Sequence, residues 1–118
     1  MAEASVAAMF GAELPRALDR LGQDEWAVTT LREGLTVAAT PEDAFASVPE
    51  AMRLASVQDD SYAFLCCCWF ALGLARRSGT TEVPLELPAL LYAAKLRAIE
   101  FKCESEVANV AAWYRLAI

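Results

Sequence analysis

Residues 62–75 contain no charged side chain, and this apolar run constrains the fold more than any other part of the chain. Two aspartates (59–60) precede it and two arginines (76–77) follow it. A bilayer-spanning helix needs ~20 apolar residues, whereas a shorter run is typical of a helix in a protein core. Acids before a helix and bases after it also complement its dipole. The pattern therefore predicts a central apolar helix over about 60–77, buried all round.

The composition favours one helical domain over residues 1–118. This length buries roughly two-thirds of the surface of the unfolded chain. Twenty-four residues are alanine, the strongest helix former, and only ten are glycine or proline. No run of alternating polarity predicts a β-strand, except in the short connector 81–87. We therefore expect an all-α, compact bundle of five or six helices.

Helical spacing and capping residues locate the helices before the apolar run. Residues 3–21 have a helical pattern, with Pro15 predicting a kink or a restart. Asp24 is a candidate cap for the next helix, which Gly34 weakens or ends early. Thr40, followed by proline and two acids, is a strong helix start. The capping box S-x-x-E at Ser47 then predicts a short helical turn followed by a short helix within 41–56.

No glycine or proline follows Pro88 as far as residue 116, and the segment 88–116 predicts one long helix, or a helix pair joined near Glu104. Larger side chains recur along one side of this segment, and smaller ones occupy the other side. We therefore expect packing on both sides, with the small-residue side allowing another helix to approach closely. The larger set is Tyr92, Leu96, Ile99, Cys103, Val107, Val110 and Tyr114; the other set is Leu90, Ala94, Ala98, Phe101, Ser105, Ala108 and Ala112.

The chain has few residues suited to catalysis or to cofactor binding. It has no histidine, which removes the commonest general base, and no glycine-rich phosphate-binding motif. The cysteines (66–68 and 103) lack the spacing of a zinc site and are interpreted as small core residues. The acidic pairs at 24–25, 42–43 and 59–60 stand at predicted helix starts, where capping explains them. We predict no cofactor and no metal, and favour a non-enzymatic role.

Charge is distributed unevenly along the chain. The net charge of −6 lies in residues 1–59, while residues 60–118 are neutral overall. Nucleic acids and anionic membrane surfaces require basic footprints, so neither is an expected partner. A basic protein would suit the acidic half. The N-terminus lacks the basic region of a signal peptide, which favours a cytoplasmic location.

These features favour a non-catalytic cytosolic protein-binding module, of which an acidic immunity or inhibitor protein for a basic partner is one specific form. Two alternatives stay open. The first is a small-molecule-binding protein or enzyme with a pocket among the helices. The second is a structural homo-oligomer joined through the small-residue side of 90–112. The candidate partner-binding residues are Trp26, Asp24, Glu25, Glu33, Glu42, Asp43, Trp113 and Tyr114.

Overall fold

The structure, a computed structural model, describes residues 5–118, which form six α-helices and no β-strand. Their radius of gyration is 13.3 Å, close to the roughly 13.5 Å expected for a compact chain of this length. The predicted all-α bundle is confirmed. The predicted start of the first helix at residue 3 lies outside the described residues. The helices are α1 Val6–Asp19, α2 Ala27–Ala38, α3 Pro41–Ser56, α4 Ser61–Ser78, α5 Leu87–Phe101 and α6 Glu104–Trp113.

Helix α4, which contains the apolar run, lies at the centre of the bundle. Helices α2, α3 and α6 all pack against it, and Phe10 of α1 stacks on its Phe70 with ring centroids 4.2 Å apart. Its burial is less complete than the sequence predicts. Leu65, Trp69 and Leu72, one or two turns apart on the same side, are partly exposed. On this side, Trp69 contacts Arg32 of α2 and Glu106 of α6 through its indole ring.

Two of the predicted helix caps are confirmed. The backbone N–H of Asp43 donates to the Thr40 hydroxyl at 3.1 Å and starts α3. The N–H of Ala63 donates to the Asp60 carboxylate at 2.9 Å and starts α4. At the end of α4, Gly79 adopts a left-handed conformation with φ of 70°, which glycine accepts without a steric penalty. Local sequence therefore fixes the bounds of α4.

The prolines do not divide the helices as the sequence suggests. Pro15 lies inside a continuous α1 and Pro49 inside a continuous α3. Ser47 is a buried residue in the middle of α3 and not a cap, so the predicted turn followed by a short helix is wrong. Burial of Val48 and Met52 on the core side of one continuous helix outweighs the backbone hydrogen bond that Pro49 cannot make. Helix α2 likewise continues through Gly34.

The C-terminal segment forms a helix pair, one of the two arrangements expected from the sequence. Lys102 has a left-handed backbone with φ of 57°. The N–H of Cys103 reaches back to the carbonyl of Ala98 at 3.0 Å, the long bond of a Schellman cap. A non-glycine residue in this conformation costs roughly 1 kcal/mol, so the tertiary contacts of α6 must offset it.

Candidate partner-binding surface

Helix α5 presents its small residues to the interior of the protein. Leu91, Ala94 and Ala98 are completely buried, and α5 packs against α3 and α6. The close helix approach predicted for this side therefore occurs within the chain. In α5 this side is not available for the homodimer contact that the sequence suggests.

The large side chains predicted to pack on the other side of α5 are exposed. Tyr92, Leu96 and Ile99 have 60%, 52% and 51% of their surface accessible. They follow the spacing i, i+4, i+7 and therefore form one row, about 10 Å long over two helical turns. We call these three residues the α5 row. The expectation that they belong to the core is wrong, because α5 is apolar on both sides and only one side can face α3 and α6.

The surroundings extend the apolar character of the α5 row. Pro88, Ala89 and Ala93 are exposed on the same outer side of α5. Leu85, in the connector just before the helix, is 96% exposed. Single exposed apolar residues are common on protein surfaces, but a contiguous apolar patch marks an interaction site more often.

The charged groups along α5 differ in whether they have partners. Two acids are ion-paired: Glu86 with Arg53 and Glu100 with Arg97, each with an N···O distance of 2.9 Å. Lys95, on the helix, and Lys102, at its C-terminal end, take part in no ion pair among residues 5–118. Between Glu86 and Lys102, the two charged side chains without an ion pair are therefore both positive.

Among the three aromatic residues predicted to bind a partner, Trp26 is the one on an open surface. Its side chain is 63% exposed just before α2, and its backbone N–H donates to the Asp24 carboxylate at 3.0 Å. Asp24 therefore shapes the turn before α2, and the prediction that it caps this helix is wrong: α2 begins at Ala27, after Trp26, with no side-chain capping bond. Glu25 and Glu33 are exposed on the same stretch of chain.

The predicted acids do not form one cluster. Glu42 and Asp43 are exposed at the start of α3. The whole of α2, about 17 Å of helix by its residue rise, separates them in the chain from Asp24 and Glu25. The acidic residues of the N-terminal half are therefore spread over the surface.

The two candidate residues at the end of α6 are packed against other parts of the protein. Trp113 is half-buried, and its indole N–H donates to the backbone carbonyl of Thr80 at 2.9 Å. Tyr114 is only 4% exposed. Burial raises the pKa of its phenol to about 12, and the hydroxyl has no hydrogen-bond partner among the described residues. Tyr114 is therefore not accessible to a partner in this conformation.

The cysteine triplet lies in the core. Cys66, Cys67 and Cys68 are at most 1% exposed. Burial raises the pKa of Cys66 to about 11 and of Cys67 to about 12, and raises that of Cys68 further. These thiols are therefore protonated at neutral pH, the unreactive form. Within residues 5–118, no three histidine, cysteine or acidic side chains are arranged to hold a metal ion.

A surface groove runs between α1 and α3. It has a volume of about 430 Å³ and an open, mainly apolar lining. Ligand pockets usually combine an enclosed apolar cavity with a few convergent polar groups. Here the charged side chains are exposed, and Arg53 is already paired with Glu86. The lining residues are Ala7, Ala8, Gly11, Glu50, Arg53, Leu54 and Val57.

Comparisons with known proteins identify no relative of this chain. No family model, no curated protein and no solved structure matches it. None of the helices within residues 5–118 is long and apolar enough to cross a membrane. A functional assignment must therefore come from the surface itself. The periodicity of the sequence places the α5 row on one side of a helix but does not indicate that this side faces outward.

Proposed function

We propose that this protein is a non-catalytic protein-binding module that acts in the cytoplasm and binds its partner through the α5 row. The observation that carries the proposal is the exposure of three large apolar side chains in register on one helix. Such a face is a common docking site for a partner protein. The protonated, buried thiols fit a reducing compartment.

The α5 row can form only the centre of an interface. Burying a large apolar side chain completely contributes roughly 1.5–3 kcal/mol, so covering the exposed half of each contributes about 1 kcal/mol. Three such residues contribute about 3 kcal/mol, whereas micromolar affinity corresponds to about 8 kcal/mol. The surrounding patch, with Leu85, Pro88 and Ala89, would then supply further contact area.

Affinity capture from the native host tests the proposal with three baits: the unaltered protein, Leu96→Asp and Val37→Asp. Val37 is a matched control, because it is an aliphatic residue that is 74% exposed on a different helix. We expect a specific partner to bind the unaltered protein and Val37→Asp, and to be lost from Leu96→Asp. A partner that binds all three baits equally would contradict the assignment of this surface.

A second candidate surface is centred on Trp26. Its exposure beside Asp24, Glu25 and Glu33 suits a basic partner, as in an acidic immunity or inhibitor protein, because acidic side chains speed the encounter with a basic protein. For this function, Trp26→Ala should weaken binding by more than ~2 kcal/mol. Raising the salt concentration should mainly slow association. If the affinity of the partner depends neither on Trp26 nor on the salt concentration, the surface around Trp26 is not its binding site.

The other two functions predicted from the sequence have separate tests. Binding of a small molecule in the α1–α3 groove should raise the melting temperature in a metabolite screen, and Ala8→Leu, at an exposed lining position, should reduce that effect by filling part of the groove. A homo-oligomer should show a native mass that rises with protein concentration. Neither result is expected if the protein is a monomeric binding module.

A further inference from the structure

We infer that the segment seated on the α5 row is an amphipathic helix whose apolar stripe is bordered by acidic residues. This inference rests on the proposed function and specifies the chemistry of the partner. It follows from the shape of the α5 row and from the charges beside it.

The shape of the surface fits a helix. A helix presents apolar side chains at i, i+3 or i+4, and i+7, which span two turns. The α5 row has the same spacing and length, so the two sets of side chains can interdigitate as ridges and grooves. Ala89 and Ala93, exposed to one side of the row, let a partner backbone approach closely.

The charges beside the row select an acidic helix. Glu86 and Glu100 are already paired with arginines, whereas Lys95 and Lys102 have no ion-pair partner within residues 5–118. Carboxylates on the partner could pair with both lysines. A basic helix would instead place like charges together, at a cost in affinity.

The negative net charge of the chain does not override this local preference. Glu42 and Asp43, two of the candidate acids, begin α3, whereas Arg53, ten residues after Asp43, pairs with Glu86 beside α5. Ten residues of helix span about 15 Å. This is about twice the screening length of ~8 Å at physiological salt. Lys95, in the middle of the α5 row, has no acid within four residues along the chain, whereas Lys102 is two residues from the exposed Glu104. The local charge at the centre of the α5 row is therefore positive.

A displayed library of helical peptides tests the inference. The peptides would carry fixed apolar residues at i, i+4 and i+7, with random charged residues at the flanking positions. Selection on the unaltered protein should enrich aspartate and glutamate over lysine and arginine. The enriched peptides should lose at least about tenfold in affinity for Leu96→Asp and for the milder Leu96→Ala, but not for the matched control Val37→Asp.

The charge-reversed variant Lys95→Glu/Lys102→Glu separates the inference from the proposed function. We expect selection on this variant to enrich basic peptides instead, and the acidic peptides to bind it at least about tenfold more weakly. Circular dichroism would check that each variant is folded. If the enriched peptides depend on Leu96 but show no charge preference, the inference of an acidic partner helix is wrong, whereas the proposed function is retained. If no enriched peptide depends on Leu96, both fail.

Discussion

The indole N–H of Trp69 donates to a carboxylate oxygen of Glu106 at 2.7 Å and so joins α4 to α6 at the edge of the core. The guanidinium of Arg32, on α2, lies 5.7 Å from the centroid of the same indole ring. One tryptophan therefore links three helices. Its position explains why the middle of the apolar run is partly exposed: the indole reaches the surface to find its polar partners.

Replacing Glu106 should show what this link contributes. Glu106→Ala should lower the free energy of unfolding by about 1–2 kcal/mol, because the half-buried indole N–H loses a charged acceptor. Glu106→Gln, which retains an accepting oxygen, should lose less. Urea denaturation followed by circular dichroism measures both. Equal stability of the alanine variant and the unaltered protein would show that the bond contributes nothing.

The two sides of α5 should respond oppositely to a new charge. Leu91→Asp places a charge in the core and should prevent folding, because a buried unpaired carboxylate is strongly unfavourable. Leu96→Asp, on the exposed side, should change stability by no more than about 0.5 kcal/mol. Thermal melting compares the two. If Leu96→Asp also failed to fold, the α5 row would belong to the core.

Stability should fall at alkaline pH because of the buried thiols. Folding raises the pKa of Cys66 to about 11 and of Cys67 to about 12, from an ordinary value of 9.0. Above pH 9 the unfolded chain has lost these protons and the native protein keeps them, so stability declines as pH rises towards 11. Below pH 9 this contribution to stability is fully retained, because the thiols are protonated in both states. By pH 10 each thiol should contribute a loss of about 1.4 kcal/mol.

Urea denaturation between pH 8 and pH 10 measures this loss, and Cys67→Ala provides the control. The alanine variant should lose about 1.3 kcal/mol less over the same interval, because one titrating thiol is gone. An identical pH dependence for the variant and the unaltered protein would mean that Cys67 is not responsible.

Trp113 should behave as a structural residue. Trp113→Ala should reduce stability by about 2–3 kcal/mol, because it removes a half-buried indole that ties α6 to Thr80 in the loop after α4. Trp113→Phe keeps the ring and should lose about 1 kcal/mol, the usual net contribution of one hydrogen bond. Chemical denaturation measures both. An alanine variant of undiminished stability would return Trp113 to the set of partner-binding candidates.

The elements predictable from sequence depend on local chemistry. Thr40 and Asp60 cap helices because their side-chain oxygens reach backbone N–H groups three residues ahead. Gly79 ends α4 because the left-handed conformation there suits glycine. Ser47 satisfies the same local rule and fails, because its segment is held in a longer helix by core burial. Local signals predict an element only where tertiary packing does not oppose them.

The candidate surface was predictable only in part. Trp26 and the acids around it were found from sequence because they are polar or adjoin polar residues. The sequence placed the three residues of the α5 row on one side of a helix, but the expectation that this side packs against the rest of the protein is wrong. Apolar residues occupy both sides of α5, so its own sequence does not distinguish the core side from the outer side.

The sequence by itself determined the helical class, the central position of the helix predicted over about 60–77 and the burial of the cysteine triplet, because an uncharged apolar run is stable only when it is covered. The tertiary structure decided that α5 buries Leu91, Ala94 and Ala98 and leaves the α5 row exposed. The physical reason is close packing: small side chains let α5 approach its neighbours, whereas Tyr92, Leu96 and Ile99 would hold them apart.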